Sequence, residues 1–256
     1  MLSAFKDHWR DYLLEAGGLM VFMFGAGAFG TLFLYPGSPV AQAIPSDLLK
    51  HVGFGLCLGV VTFAIVSGIG KRTGAHINPA VTWAFYRAGK IGRADAVWYT
   101  IAQFAGACLA PVLLLGVIGA PFASEEVKYA ISKPGPDGAL IAFAAEFVIS
   151  FILMLVALIA LNSERLEKKT PALIAALIAV YIAFESPLSG MSLNPARSFG
   201  SALTANLWDG IWVYFTAPVL AMLLSVAVYD RMRAARQKLV TADFKPSPHY
   251  PVTQGA

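Results

Sequence analysis

The tripeptide Asn-Pro-Ala occurs twice, at Asn78-Pro79-Ala80 and at Asn194-Pro195-Ala196, each time just after a long apolar segment. Proline is preorganised for the first turn of a helix, where its missing N–H costs nothing, and an asparagine immediately before it is a good N-cap. Each tripeptide therefore predicts a helix start. The apolar pieces that follow, Ile77 to Tyr86 and Leu193 to Leu203, are too short to cross a bilayer. They read as two half-helices that begin at membrane depth and point their amino ends at one another. The approach segments Gly74 to Ile77 and Gly190 to Leu193 must then be irregular backbone at that depth. Such backbone is tolerated only where protein buries it or water reaches it, so the pattern predicts a wet passage.

The rest of the chain is membrane-grade. Apolar residues make up 57% and charged residues 13% of the 256, against about 45–50% and about 25% in a soluble domain. Six stretches are long enough to span: Asp11 to Leu34, Leu48 to Gly70, Ala94 to Gly119, Ala139 to Leu161, Pro171 to Ser186 and Trp208 to Tyr229. The fifth is the shortest and suffices only if Glu185 marks its watery end. Met1 to Arg10 looks superficially like the start of a signal peptide. The apolar run behind it exceeds an h-region of about 7–15 residues and has no small-residue cleavage pattern followed by a soluble domain, so it reads as an uncleaved first span. The net charge of +4 does not indicate nucleic-acid binding, because the basic residues sit in short loops between apolar runs. Cys57 and Cys108 lie inside apolar segments, where packing is the expected role rather than a disulfide.

Lysine and arginine set the orientation. Lys6 and Arg10 precede the first span; Lys71, Arg72, Arg87, Lys90 and Arg93 separate the second from the third; Arg165, Lys168 and Lys169 separate the fourth from the fifth; Arg231, Arg233, Arg236 and Lys238 follow the sixth. The alternate loops hold Lys50, Lys128 and Lys133, leaving Arg197 aside. The positive-inside rule places both termini in the cytoplasm, of a plasma membrane or of a bacterial inner membrane. Residues 1–238 read as one transmembrane domain, and 239–256 are expected to be a disordered cytoplasmic tail. The domain divides into halves at about 11–119 and 139–230. Each half holds a Glu-bearing span (Glu15, Glu146), a second span, a Gly-rich descent, an Asn-Pro-Ala half-helix and a third span. Three spans per half invert one half against the other, a design that puts a site at the midplane.

These residues resemble the aquaporin, or major intrinsic protein, family. The likeness covers about Glu15 to Asp230, and its most specific strings are SGIGKRTGAHINPAVT (Ser67 to Thr82) and SGMSLNPARSFGSA (Ser189 to Ala202). The resemblance implies an all-α membrane fold of six transmembrane helices plus two re-entrant half-helices in an inverted repeat. It implies a passive channel for water or small uncharged solutes that excludes protons and ions, one pore per protomer of a homotetramer in a lipid bilayer, and neither cofactor nor metal. In this family the Asn78 and Asn194 amides donate to the passing molecule, and Arg197 is the fixed member of a narrow outer filter. Glu15 and Glu146 accept from backbone N–H groups of the re-entrant loops. The carbonyls of Gly74, Ala75, His76 and Ile77, and of Gly190, Met191, Ser192 and Leu193, form a ladder of acceptors. His76 is open to a pH-gating or a packing role, and Lys71-Arg72 to setting orientation or to gating the cytoplasmic mouth.

Counting back from the two asparagines places the four filter positions on Leu58, Ile182, Met191 and Arg197. Water-selective members typically carry an aromatic residue and a histidine at the first two, and here both are aliphatic. An apolar filter would suit less polar neutral solutes such as glycerol, urea or undissociated metalloid acids, or slow water. Phe54, one turn before Leu58, is the alternative occupant of the first position if the helix carries an extra turn. Ser198, Ala202 and the Tyr214-Phe215 pair before Pro218 instead resemble the water-channel branch. A broken-helix transporter would need coupling-ion ligands, and a proton relay through Glu15 and Glu146 a third titratable residue. An enzyme would need a metal-spaced histidine cluster or a nucleophile with its base; none is evident.

Overall fold

The computed structural model describes residues 1–243, which are helical and turn structure with no strand. Eight principal helices follow in order: α1 (Leu2–Leu34), α2 (Asp47–Thr73), α3 (Pro79–Arg87), α4 (Arg93–Ile118), α5 (Ala139–Leu161), α6 (Thr170–Phe184), α7 (Pro195–Ala205) and α8 (Ile211–Asp243). Of these, α1, α2, α4, α5 and α8 are long and apolar enough to cross a membrane. Helices α3 and α7 are the half-helices.

Three expectations are corrected. Helix α1 begins at Leu2, not near Asp11. No breaker precedes Tyr35, and the extra turns are held from the side, where Phe5 packs on Trp98 at 4.8 Å and the Trp98 indole donates to the Met1 carbonyl at 3.1 Å. Helix α6 ends at Phe184, and Glu185 is buried, 7% exposed, rather than a watery end. Its 15 residues reach about 22 Å, short of the roughly 30 Å hydrocarbon core. Pro187 lacks the N–H that would continue the ladder and its ring would crowd the preceding turn, so the chain breaks into the short turn Ser186–Ser189. Helix α8 continues through the first five residues assigned to the tail, ending at Asp243; the rest of that predicted disordered tail lies outside the described residues.

The packing obeys the inverted repeat. Helix α1 lies on α4 as α5 lies on α8, α2 and α6 pack on each other, and each half-helix crosses over, α3 to α8 and α7 to α4. Small residues set the closest crossings, as expected where lipid supplies no hydrophobic drive between helices. A Cβ on Gly106 would stand 2.2 Å from the Ala16 carbonyl oxygen, and one on Gly200 2.1 Å from that of Ala107. Gly18, Gly25 and Gly27 of α1 face Ile77, Leu58 and Leu114 of their own chain, so this stripe serves packing within the protomer. Outward-facing residues such as Val60, Val117, Leu140 and Phe184 are exposed and apolar, as a lipid-facing belt requires.

Candidate functional site

Each asparagine caps its own half-helix and ties down the other half. Asn78 Oδ1 accepts from the Ala80 N–H at 2.8 Å; Asn194 Oδ1 accepts from the N–H groups of Ala196 (3.0 Å) and Arg197 (3.2 Å). Across the junction, Asn78 Nδ2 donates to the Leu193 carbonyl at 2.7 Å and Asn194 Nδ2 to the Ile77 carbonyl at 2.8 Å. The two helix starts therefore meet tip to tip. An amide nitrogen carries two hydrogens, so each asparagine has a second one to offer.

The approach segments are bent by left-handed backbone at matching places: Gly74, Ala75 and Ile77 (φ 85°, 48° and 40°) in one half, Gly190, Met191 and Leu193 (76°, 45° and 61°) in the other. For a β-branched residue such as Ile77 this costs on the order of 1–3 kcal/mol and persists only where the surroundings over-determine it. Two buried carboxylates supply that hold. Glu15 accepts from the N–H of His76 (3.0 Å) and of Ile77 (2.5 Å), and Glu146 from the N–H of Ser192 (2.6 Å) and of Leu193 (2.8 Å). With the N–H groups drawn to the carboxylates, the carbonyls are left over. Among the described residues no hydrogen bond reaches the carbonyl oxygens of Gly74, Ala75, His76, Gly190, Met191 or Ser192, whereas those of Ile77 and Leu193 each accept one asparagine bond.

Further residues complete the brackets, and most carry no sequence signal. Gln103 Nε2 donates to Glu15 at 2.9 Å and to Thr82 Oγ1 at 3.0 Å. A lone glutamine within an apolar span is the one hint the sequence holds. Ser189 Oγ bonds Glu146 at 3.0 Å and also Glu185. Tyr99 donates to the Thr73 carbonyl at 3.0 Å and Tyr214 to that of Ser189 at 2.6 Å. The connection before α5, by sequence no more than an outside loop, dips inward, where Ser132 Oγ accepts from Ser198 Oγ at 3.0 Å. His76 has Nδ1 3.1 Å from Thr82 Oγ1 and its ring stacked on Phe85 at 4.8 Å, a geometry that fits a packing role. Arg72 pairs with Asp11 at 2.6 Å, holding the end of α2 to α1.

Of the four filter positions, Leu58, Ile182 and Met191 belong to one buried apolar cluster, with Phe54 packed at its margin. Helix α2 runs unbroken past both Phe54 and Leu58, so these stand one turn apart on one face, over Gly30 and Gly25 of α1. Arg197, on the first turn of α7, is 7% exposed; its Nη1 has no hydrogen-bond partner, and it forms no ion pair among the described residues.

The family model for major intrinsic proteins matches residues 3–229. Aquaporin NIP1-2 of Oryza sativa subsp. japonica is 31% identical over 209 residues, covering 81% of this chain and 69% of that protein. Nodulin-26 of Glycine max is 30% identical over 212 residues, covering 81% and 76%. Among solved structures, the aquaglyceroporin from Plasmodium falciparum matches with a TM-score of 0.77 over 91% of this chain and 99% of that one. At 21% identity that likeness is one of fold.

Proposed function

The chain belongs to the major intrinsic protein family, and on that premise we propose that it is a passive channel for water and small uncharged solutes that holds back protons and ions. It is a multi-pass membrane protein. The observation that carries the reading is the reciprocal tie between Asn78 and Leu193 and between Asn194 and Ile77, flanked on both sides by unclaimed carbonyls. A molecule in transit donates to those carbonyls in turn. At the tips it accepts from the spare hydrogens of both asparagines, so a water there has its oxygen turned to the helix ends and cannot relay a proton through that point. Each half-helix start carries roughly half a positive charge, and two of them face to face repel a cation, a selectivity device used in pores of this kind.

Arg197 adds a fixed charge beyond the tips, and Leu58, Ile182 and Met191 narrow the same region. Their apolar surfaces replace few of water's hydrogen bonds. This favours a second, finer reading in which neutral solutes such as glycerol, urea or undissociated metalloid acids are principal cargo. The exposed apolar belt suits both lipid and a homotetramer with one pore per protomer. The distribution of Lys and Arg supports both termini in the cytoplasm, and the membrane we infer is the plasma membrane, or the inner membrane of a bacterium.

The test is osmotic. Vesicles carrying the protein are expected to shrink faster than empty ones after a hyperosmotic step while an internal pH dye stays flat. Comparing water with glycerol, urea and boric acid ranks the cargo. Shrinkage no faster than in empty vesicles, or a proton leak that accompanies it, would refute the channel.

A further inference from the structure

Counting outward from Asn78 and Asn194 aligns the two halves residue by residue. Thr73 falls opposite Ser189, and both make the same bond: Thr73 Oγ1 accepts from the Ala75 N–H at 3.0 Å and Ser189 Oγ from the Met191 N–H at 3.1 Å. In that register Ile69 stands opposite Glu185 and Val81 opposite Arg197. One half alone therefore carries a buried anion-former and a buried cation at places where the other half has hydrocarbon. Each is 7% exposed, yet they form no ion pair. Among the described residues, Glu185 Oε2 and Arg197 Nη1 both lack a protein partner, and so does the Tyr181 hydroxyl, one turn before Glu185. Unpaired polar groups at membrane depth are expensive and ordinarily face a wet cavity.

Hydrogen counting defines the state of Glu185. The Ser189 hydroxyl has one hydrogen, yet its oxygen is bonded to Oε1 of both Glu146 and Glu185 while accepting from Met191. The three groups need one more proton. Glu146 already receives two backbone N–H groups, so the proton sits on Glu185, which donates through Oε1 to Ser189 and keeps Oε2 as a free acceptor. Resting on the channel reading, we propose that Glu185 is a specificity residue of this pore: its Oε2 accepts from a small neutral polyol or amide whose oxygen faces Arg197 Nη1. Such a solute presents several hydrogens and an acceptor together, which the aliphatic positions Leu58 and Ile182 cannot serve.

The test uses full-length protein in proteoliposomes, with stopped-flow permeabilities for water, glycerol and urea. The wild type is expected to pass all three. Glu185→Leu should lower glycerol and urea permeability about ten-fold relative to water, the loss of one buried hydrogen bond. Glu185→Gln, which keeps both the donor to Ser189 and an acceptor, should recover most of it. The ratio is the readout that a mere brace on Ser189 would not move. An unchanged ratio in Glu185→Leu overturns the proposal, as does an equal slowing of water and solutes. So does a Glu185→Gln protein whose solute-to-water ratio falls about ten-fold below that of the wild type, an outcome readable even if the leucine variant does not fold. A wild type that passes water but neither glycerol nor urea also overturns it, whereas a wild type passing none of the three defeats the channel reading itself.

Discussion

The two halves of this molecule share a backbone and differ in side-chain chemistry. In the first, Glu15 takes two loop N–H groups and Gln103; in the second, Glu146 takes two loop N–H groups and Ser189. Tyr99 and Tyr214 each clamp the carbonyl at the head of their loop. Left-handed residues occur at the same steps. Around this common frame the first half assembles a neutral network of His76, Thr82 and Gln103, and the second places Glu185 and Arg197 unpaired. The contrast separates two tasks. Holding a re-entrant loop at membrane depth is a backbone problem with one solution, used twice. Choosing what passes is, on the proposal above, a side-chain problem, and its charged members, Glu185 and Arg197, lie on one side only.

The sharpest way to break this comparison is to remove the shared carboxylates. Glu15→Leu and Glu146→Leu each leave three buried donors without an acceptor, at about 1–3 kcal/mol apiece, so each should cost roughly 3–9 kcal/mol or prevent folding. Thermal unfolding of the detergent-purified variants measures it. Because the donor sets match in number, the two losses should be similar. If one variant unfolds the protein while the other is tolerated, the halves are not equivalent scaffolds.

Much of this frame is legible in the sequence because it rests on local chemistry. A proline after an asparagine dictates a capped helix start, and that places both half-helices. A glutamate inside an apolar span must have a partner, and that singles out Glu15 and Glu146. What is not legible depends on contacts between elements. Glu185 reads as the polar end of a span, and only the break before Pro187 reveals that the chain turns inward and buries it. Ser189, Thr82 and Ser132 are ordinary small polar residues until the fold brings their hydroxyls to a carboxylate, an imidazole or the hydroxyl of Ser198. The register on α2 shows the same limit: Phe54 and Leu58 share a helical face, and periodicity cannot rank two residues one turn apart.

A smaller effect sharpens the contrast from the other side. Arg197→Val gives the second half the residue that the first half has at that place, Val81. The backbone bond from the Arg197 N–H to Asn194 survives any side chain, so the half-helix should keep its cap. What disappears is a buried positive charge. Cation leak in proteoliposomes should rise about ten-fold, equivalent to about 1.4 kcal/mol of barrier, with water permeability changed less. An unaltered leak would mean that the two helix ends alone exclude cations and that this asymmetry serves another purpose.

The smallest expected effect falls on the tyrosine clamps. Tyr99→Phe and Tyr214→Phe each delete one hydroxyl donor and leave the ring in place, and a hydrogen bond of this kind contributes about 0.5–1.5 kcal/mol. The two should not be equal. Tyr214 makes the shorter bond, 2.6 Å against 3.0 Å, and is fully buried where Tyr99 is 6% exposed. Water can reach the carbonyl orphaned in the first half more readily than the one in the second. Tyr214→Phe should therefore sit at the upper end of that range and Tyr99→Phe at the lower. The carbonyl that Tyr214 clamps belongs to Ser189, the residue that also holds Glu185 and Glu146. So Tyr214→Phe should alter the ratio of solute to water permeability as well as stability, whereas Tyr99→Phe should alter stability alone. A Tyr99→Phe protein with changed selectivity would show that the neutral network of the first half also takes part in choosing what passes.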